Sequence, residues 1–286
     1  MSDIDLLILD VDGAEMLEHC LGSLSRQRLL PARVIVWDNG SKIPTIDRVR
    51  PTFPFETVFR RSEKNIGFTG GINAAMNDVV APFVAWVNND VVLDGEWLAQ
   101  LRARFDDVER LGAVQSVMRR DSRTIDGAGI AIDDGTFRQL HHGEPIERAR
   151  EPYEAWGVSG TAALFRTAAL RDVAIGGSIL HPRFVAYYED VELSARLLRA
   201  GWSVQVLPTA LAVHRGSMSE AALGRSATRY RVRNRYFVAR LHPGIGRIPA
   251  LLREDAKRIF RLFRSRQAGV AIRATLAMGE GLVAPL

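Results

Sequence analysis

The chain has 286 residues, of which 47% are hydrophobic and 25% are charged, and it contains a single cysteine, Cys20. This composition is that of a globular protein large enough to bury its own core, and one cysteine excludes an internal disulfide. The sequence has no run of 18 apolar residues that would span a bilayer. The first residues are acidic and lack a signal-peptide pattern, so we expect a cytoplasmic protein.

The net charge of +5 is distributed unevenly along the chain. Between Arg215 and Arg273 there are 15 basic and 3 acidic residues, whereas the remainder has 23 basic and 30 acidic residues. A basic region of this kind favours an anionic partner, which leaves open a membrane surface, a phosphate-bearing substrate or nucleic acid. No nucleic-acid recognition motif accompanies the basic region, so we expect no nucleic-acid partner.

The beginning of the chain has the pattern of a strand–helix–strand unit. Residues 4–9 and 34–37 are apolar runs typical of buried strands, and the apolar residues of 14–25 recur with helical spacing. This order predicts parallel strands whose carboxyl ends open on one edge of a sheet. Asp12 follows the first strand and Asp38 follows the second, so both are candidates for a site at that edge.

A glycine-rich turn follows a third predicted strand at 57–60. It includes Asn65 and Gly67 and leads into a helix that we predict over about 72–80. Glycines let a backbone approach a ligand closely, and a helix N-terminus favours anions. An ordinary structural turn is the alternative.

The next predicted strand, within residues 83–91, ends in three polar residues: Asn88, Asn89 and Asp90. Parallel strands that are buried on both faces are apolar inside and carry their functional residues at the carboxyl end. A lone carboxylate there can hold a divalent metal that is also bound by substrate phosphates. A polar turn after a core strand is the alternative.

Three further stretches in the second half of the protein carry candidate residues. Small residues around Gly160 either let a substrate lie against the backbone or belong to a tightly packed strand. Glu189 and Asp190 open a strong helix, where acidic residues serve either as helix-capping groups or as a well-positioned base. His214 ends the second of two short predicted strands, 204–208 and 211–214.

The basic region divides the chain into residues 1–217 and a C-terminal extension, 218–286. Arginines alternate with aromatic and aliphatic residues from Arg225 to Val238, and a second amphipathic segment runs from about 248 to 263. These segments fit interfacial helices at a membrane, or helices packed on the domain with a solvated basic face. We favour the second interpretation.

Taken in order, these stretches resemble glycosyltransferase family 2, whose members have the GT-A fold, and bacterial rhamnosyltransferase-like members in particular. The resemblance covers about residues 4–217. It implies a Rossmann-like α/β/α sandwich with a mostly parallel central sheet, followed here by a basic helical extension. The matching pieces are Asp38-Asn39-Gly40-Ser41, Asn65-Ile66-Gly67-Phe68, Asn88-Asn89-Asp90, Trp156 to Arg166, Glu189-Asp190-Val191-Glu192-Leu193 with Gly201-Trp202, and His214.

The resemblance also implies a role for each candidate residue. Asp190 would be the general base, and Asp90 with His214 would bind Mg²⁺ or Mn²⁺ on the donor diphosphate. The nucleotide-sugar site would be lined by Asp12, Asp38, Asn65, Gly67, Asn88 and Asn89. The acceptor site would be lined by Trp156, Gly160 and Glu189. Three places depart from the family pattern: Val11-Asp12 after the first strand, Asn88 at the first metal-motif position, and Gly176 to Leu180.

We therefore expect an inverting, metal-dependent glycosyltransferase that uses a nucleotide-diphosphate sugar, with dTDP-rhamnose as the preferred donor. A UDP- or GDP-sugar donor is the alternative. The expected acceptor is a cell-surface glycan or a lipid-linked glycan, with peripheral membrane contact through the basic helices; a small-molecule or peptide acceptor and a homodimer remain open. A sugar nucleotidyltransferase fits less well, because the turn after the first strand is acidic. A non-catalytic sugar-nucleotide-binding module is the third alternative.

Overall fold

The computed structural model describes residues 2–49, 52–216, 224 and 226–285. Within these ranges, alternating strands and helices form a core that is followed by a group of C-terminal helices. The strands are β1 (Ile4–Asp10), β2 (Arg33–Asn39), β3 (Glu56–Ser62), β4 (Phe83–Val87), β5 (Val91–Leu93), β6 (Leu111–Arg119), β7 (Ile125–Gly127), β8 (Ile130–Asp133), β9 (Thr136–Gln139), β10 (Tyr153–Glu154), β11 (Ala162–Arg166) and β12 (Ser203–His214). The helices are α1 (Ala14–Leu24), α2 (Gly67–Ala75), α3 (Trp97–Asp107), α4 (Thr167–Asp172), α5 (Glu189–Arg199), α6 (Ser226–Leu241), α7 (Ile248–Arg264) and α8 (Ala268–Val283).

The strands of the core form one large sheet in the order β10-β12-β6-β11-β4-β1-β2-β3. The long pairings of β1 with β2 and β4, of β2 with β3, and of β6 with β12 are parallel. β11 is antiparallel to both of its neighbours, β4 and β6. β8 and β9 form a separate antiparallel hairpin. The expected mostly parallel α/β sheet is confirmed.

Helices cover both faces of the sheet because successive strand residues point to opposite sides. On β1, Leu6 and Ile8 pack with α1 and α3, whereas Leu7 packs with α2 and α5. Each fully buried aliphatic side chain contributes about 1.5–3 kcal/mol to folding. The two apolar layers produce a three-layer α/β/α sandwich, and they leave the carboxyl ends of β1, β2 and β4 on one edge.

Two local expectations were wrong in their boundaries. α2 begins at Gly67 rather than near 72, because the Asn65 side chain accepts a hydrogen bond from the Gly67 amide and starts the helix earlier. The two short strands predicted at 204–208 and 211–214 are one strand, β12. Its register against β6 shifts between Leu207 and Leu211, where Pro208 cannot donate to the ladder.

The C-terminal helices pack together and against the core. Val232 and Tyr236 of α6 share an apolar cluster with α7 and with α8, a helix that the sequence patterns did not predict. The predicted solvated basic face is wrong for Arg233 and Arg235, which are each only 7% exposed. Carboxylates on α7 and α8 pair with these two guanidinium groups. Among the described helices, none has the length and hydropathy needed to cross a membrane.

Candidate active site

A cavity of about 460 Å³ opens where the carboxyl ends of the strands meet the start of α5 and the C-terminal helices. Polar side chains from all three regions line it, among them Asn88, Asp190 and His214. The antiparallel strand β11 begins at the same edge, because its Ala162 pairs with Val87 at the end of β4. Of the polar residues predicted at separate strand ends, Asn88 and His214 therefore meet around one space, whereas Asp12, Asp38 and Asp90 do not line it.

Strand pairing brings Asp90 and His214 together. His214 pairs with Val91 across β12 and β5, and the amide of Arg215 donates to the carbonyl of Asp90 at 2.9 Å. The His214 Nε2 atom lies 3.4 Å from the Asp90 carboxylate. On the other side of the ring, Nδ1 lies 2.9 Å from the Asp126 carboxylate on β7.

The two carboxylates set the protonation state of His214. Burial favours the neutral ring, but the hydrogen bonds to Asp126 and Asp90 outweigh it and raise the pKa of His214 to about 9. The same contact with His214, opposed by burial, lowers the pKa of Asp126. The raised pKa therefore favours the protonated form of His214 at neutral pH.

The residues present fit a divalent metal whose coordination is completed by a substrate. Asp90 is buried, and its Oδ1 atom has no hydrogen-bond partner. Such an oxygen next to an imidazole nitrogen suits Mg²⁺ or Mn²⁺. Over the described ranges no group of three or more His, Cys, Asp or Glu side chains is arranged to hold a metal. Asp90 and His214 are thus a partial set of ligands, to which diphosphate oxygens would have to be added.

Asp190 and Glu189 lie in the first turn of α5 and both line the cavity. Burial raises the pKa of Asp190 even though hydrogen bonds from the amides of Val191 and Gly160 and from the Ser159 hydroxyl favour its ionised form. Burial, with the charge of Asp190 as the next cause, raises the pKa of Glu189 to about 8. The buried Oε2 atom of Glu189 has no partner. A carboxylate with a raised pKa is a better proton acceptor near neutral pH.

Two consecutive tyrosines immediately before this pair have left-handed backbone conformations. Tyr187 has φ 68° and Tyr188 has φ 70°, and such residues cost about 1–3 kcal/mol each when they are not glycine. Asn234 of α6 is fully buried, and its side-chain amide donates to the carbonyls of Ala186 and Tyr187 at 2.9 and 2.7 Å. The C-terminal extension therefore holds the turn that presents Asp190.

Asp12 and Asp38 lie together beside the ends of β1 and β2. Asp38 is buried and accepts hydrogen bonds from the amides of Ser41 and Thr45, and it is ion-paired with Arg61. Burial opposes its ionisation, but these contacts outweigh burial and lower the pKa of Asp38. Asp12 is exposed, with φ 54°. A role for either carboxylate in base binding stays a prediction.

The glycine-rich turn packs against the segment that leads to Asp190. Gly67 has φ 78°, and a Cβ atom there would lie 2.5 Å from the Val185 side chain. The Thr69 amide also donates to the Val185 carbonyl at 3.2 Å. Gly67 thus permits a close backbone approach, although its partner in the structure is protein. Asn65 is exposed and joins this turn to Asn39.

The remaining predicted residues are divided between the cavity wall and its support. Asn88 and Gly160 line the cavity. Asn89 is buried, and its amide donates to Asp10 at 2.6 Å, so it braces the end of β4 against β1. Trp156 packs against Phe137 with the two rings tilted by 48° and their centroids 6.1 Å apart. Phe137 lines the cavity, so Trp156 lies one side chain behind that wall.

Sequence patterns missed several residues that the structure places at the site. No sequence pattern identified Asp126 as a site residue, because it reaches His214 from the short edge strand β7. Gln115 lies in an apolar-looking strand, yet it lines the cavity, and its buried amide nitrogen has no partner. Arg231, Arg235 and Arg258 also line the cavity, although their sequence context indicated only a basic helix.

The fold is similar to those of several solved glycosyltransferases. GalNAc-T7, crystallised with UDP, GalNAc and Mn²⁺, has a TM-score of 0.64 and 14% identity over 83% of this chain and 47% of that one. The mannosyltransferase PcManGT from Pyrobaculum calidifontis, in complex with GDP-Man and Mn²⁺, has a TM-score of 0.60 and 15% identity over 99% of this chain and 76% of that one. S. aureus TarS 1–349 has a TM-score of 0.55 and 16% identity over 99% of this chain and 81% of that one. These likenesses confirm the GT-A fold.

The chain spans less than half the length of GalNAc-T7 and 38% of the longer S. aureus TarS chain. No curated protein sequence matches it. A family model described as glycosyl transferase family 2 matches residues 11–174, which is more than half of the 286 residues. The chain belongs to glycosyl transferase family 2.

Proposed function

We propose that the protein transfers a sugar from a nucleotide-diphosphate donor to a hydroxyl of a glycan or lipid-linked acceptor, with inversion at the anomeric carbon. The observation that carries this proposal is that His214 and Asp190 line one cavity at the carboxyl edge of the sheet, with the Asp90 carboxylate 3.4 Å from His214. This transfer requires two functions, a site for a divalent metal and a separate general base. Asp90 with His214 would provide the first, and Asp190 would provide the second.

Asp190 accepts the proton of the acceptor hydroxyl as its oxygen bonds to the anomeric carbon. The bond from that carbon to the diphosphate oxygen breaks, and the nucleoside diphosphate leaves with the electron pair. With one base and a single displacement, no covalent sugar–protein intermediate forms and the configuration inverts. The burial that raises the pKa of Asp190 suits this role. The neighbouring Glu189 is protonated below a pH of about 8 and leaves Asp190 as the acceptor of the proton.

Asp90 and His214 would hold the Mg²⁺ or Mn²⁺ ion that neutralises the leaving diphosphate. Binding requires His214 to give up the proton that its two carboxylate neighbours favour. Metal affinity without the donor is therefore low, because only two protein ligands are available and one must first be deprotonated. The family, together with neighbours crystallised with UDP, GDP-Man and Mn²⁺, supports this assignment.

We propose dTDP-rhamnose as the donor, on the resemblance to rhamnosyltransferase-like members, with UDP- and GDP-sugars as the competing donors. The test is a thermal-shift panel of dTDP-rhamnose, UDP-GlcNAc, UDP-glucose and GDP-mannose, each with and without Mn²⁺. Binding at 100 times Kd adds about 2.7 kcal/mol, which is roughly 5 °C for a chain of this size. We expect one donor to stabilise the protein, and only with Mn²⁺.

Two variants sharpen the panel. Asp90→Asn should abolish the Mn²⁺-dependent shift, because it removes the carboxylate oxygen that has no partner in the protein. Asp107→Asn makes the same chemical change on the exposed surface of α3 and should leave the shift intact. A panel in which no nucleotide sugar stabilises the wild-type protein would exclude the proposed activity.

We also propose that the protein lies on the inner face of the cytoplasmic membrane, which it contacts through α7 and α8. Phe260 and Phe263 on α7 are 62% and 50% exposed, and Leu276 on α8 is 69% exposed. Exposed basic residues surround the two phenylalanines: Lys257, Arg261 and Arg264. Exposed aromatic residues among cations suit an anionic lipid interface.

Vesicle co-sedimentation tests this location. The wild-type protein should bind phosphatidylglycerol vesicles more than phosphatidylcholine vesicles, and Phe260→Ser with Phe263→Ser should reduce that binding. Ile46→Ser, at a side chain that is 53% exposed outside the extension, is the control. The membrane role would be contradicted if the wild type and the double variant sedimented equally with the vesicles. It would also be contradicted if gel filtration showed a wild-type dimer that the double variant does not form.

A further inference from the structure

A single glutamine interrupts the apolar side of strand β6. Gln115 lies between Ala113 and Val117 on that side of the strand, and all three residues are buried. Within the described ranges the Nε2 atom of Gln115 has no hydrogen-bond partner. A buried amide with an unused donor is unfavourable, and an apolar residue of similar size would avoid that cost. The side chain is therefore expected to have a role that an apolar residue could not fill.

The Gln115 side chain bonds to the segment that leads into β11, residues 158–161. The hydrogen-bonded pairing of β11 with β6 starts after this segment. The Ser159 amide donates instead to the Oε1 atom of Gln115 at 2.7 Å. One residue earlier, the Val158 amide donates to the hydroxyl oxygen of Ser194 on α5 at 3.2 Å. Side chains of β6 and α5 therefore act as the partners of these two amides where the ladder does not.

The same segment contacts both the end of β4 and the proposed base. The Asn88 amide donates to the Thr161 carbonyl at 2.9 Å. The Gly160 amide and the Ser159 hydroxyl form hydrogen bonds with the Asp190 carboxylate. The Ser159 hydroxyl also lies 2.9 Å from the Thr161 hydroxyl. A shift of the segment would therefore move the groups that hold Asp190.

Gln115 acts on the site from behind this segment. Although it lies in the cavity wall, its side chain has no exposed surface, so its effect on a substrate passes through Ser159. We propose that Gln115 is a positioning residue, whose Oε1 atom fixes residues 158–161 and thereby the orientation of the Asp190 carboxylate. This inference rests on the proposed transfer reaction, in which Asp190 is the base.

Gln115→Met tests the inference, because methionine has a similar length but no oxygen to accept from the Ser159 amide. The variant also removes the unpartnered Nε2 atom, so Tm should stay within a few degrees of wild type. Gln115→Leu makes the same chemical change with a different shape, and it is used if the methionine variant does not fold. Thr167→Val is the matched control: the buried Thr167 hydroxyl donates to the Ala81 carbonyl at 2.8 Å, beyond the opposite end of β11.

Hydrogen–deuterium exchange of the protein alone gives the first measurement. In Gln115→Met, the amides of residues 158–161 and of the first turn of α5 should exchange about tenfold faster than in the wild type or more. The reason is that the segment loses one of its two side-chain supports and α5 loses a firmly held neighbour. In Thr167→Val these amides should exchange at the wild-type rate.

Hydrolysis of the donor gives the second measurement and needs no acceptor sugar. Asp190 accepts a proton from water, the water oxygen bonds to the anomeric carbon, and the nucleoside diphosphate leaves with the electron pair. The donor is the sugar nucleotide that stabilises the wild type in the Mn²⁺ panel. Gln115→Met should lower kcat about 10- to 100-fold, while the donor KM and the donor-induced thermal shift stay at their wild-type values. Thr167→Val should keep the wild-type kcat.

A double-mutant cycle tests the route from Gln115 to Asp190. Ser159→Ala removes the hydroxyl that bonds to Asp190, and it should lower kcat by itself. If Gln115 acts through Ser159, the losses in kcat caused by Gln115→Met and Ser159→Ala should be less than additive in the double variant.

Five results would overturn the inference: unchanged exchange in the two segments, a wild-type kcat in Gln115→Met, additive losses in the cycle, a raised donor KM, or failure of both Gln115 variants to fold. A raised donor KM would make Gln115 a donor contact, and failure to fold would make its hydrogen bond a requirement of folding. If no sugar nucleotide stabilises the wild-type protein, the proposed function fails in its own test. The exchange measurement then still decides whether Gln115 holds residues 158–161.

Discussion

Replacing Asn234 with alanine tests whether the C-terminal extension shapes the active site. The variant removes the amide that donates to the carbonyls of Ala186 and Tyr187 and leaves both without that donor. Each of the two buried carbonyls that loses its donor costs about 1–3 kcal/mol, so we expect a loss of roughly 2–6 kcal/mol. For a chain of this size that lowers Tm by about 4–12 °C, at roughly 2 °C per kcal/mol.

The effect on catalysis should be larger than the loss of stability implies. Tyr187 and Tyr188 have left-handed backbone conformations, which should relax when the two hydrogen bonds from Asn234, the Asn234 clamp, are removed. A displacement of Asp190 by about 1 Å reduces kcat about 100-fold. The assay is initial-rate transfer, well below the melting temperature of the variant, with the donor found by thermal shift.

Asn73→Ala provides the matched control. The Asn73 side chain also makes two backbone hydrogen bonds, both with Leu180 at 2.8 Å, but it does not contact the turn before Asp190. It should lower Tm to a similar degree while kcat stays within a few-fold of wild type. If Asn234→Ala loses the expected stability and keeps the wild-type kcat, the strained turn does not depend on this clamp and the reasoning is refuted.

Further predictions concern the carboxylates and the metal. Asp190→Asn should lower kcat by about 10²–10⁴-fold without weakening nucleotide binding; a wild-type rate would exclude Asp190 as the base. The folded-state pKa of Glu189, about 8 against 4.5 when unfolded, means that the folded protein holds a proton that the unfolded chain releases, so stability should fall as pH rises between these values. Glu189→Gln should melt above wild type at pH 8, with little difference near pH 4; parallel melting curves across this range would argue against the shifted pKa. EDTA should suppress transfer and Mn²⁺ restore it; activity in EDTA would remove the metal role of Asp90 and His214.

The sequence was most informative where the chain is locally simple. Residues 83–87 are entirely apolar, and they form the fully buried strand β4. The polar residues that follow β4 lie at the sheet edge as expected, because the parallel order of β1, β2 and β4 leaves only one place for their carboxyl ends. Asp190 could likewise be located from the first turn of a strongly amphipathic helix.

The remaining features depend on contacts between distant segments. Asp126 reaches His214 through the pairing of β7 with β6, and no local pattern reports that pairing. Arg233 and Arg235 have the spacing of a surface helix, yet carboxylates on α7 and α8 allow them to be buried. The contact of Asn234 with Tyr187 spans two regions that the sequence placed in separate parts of the chain.

The hold of Asn234 on the turn before Asp190 also bears on how the protein is made. Synthesis proceeds from the amino end, so Asp190 leaves the ribosome well before the helix that fixes its position. A nascent chain, or a product clipped after β12, would carry every proposed catalytic and metal-binding residue and still lack the clamp. The turn before Asp190 can therefore reach the conformation seen in the structure only after α6 has been made.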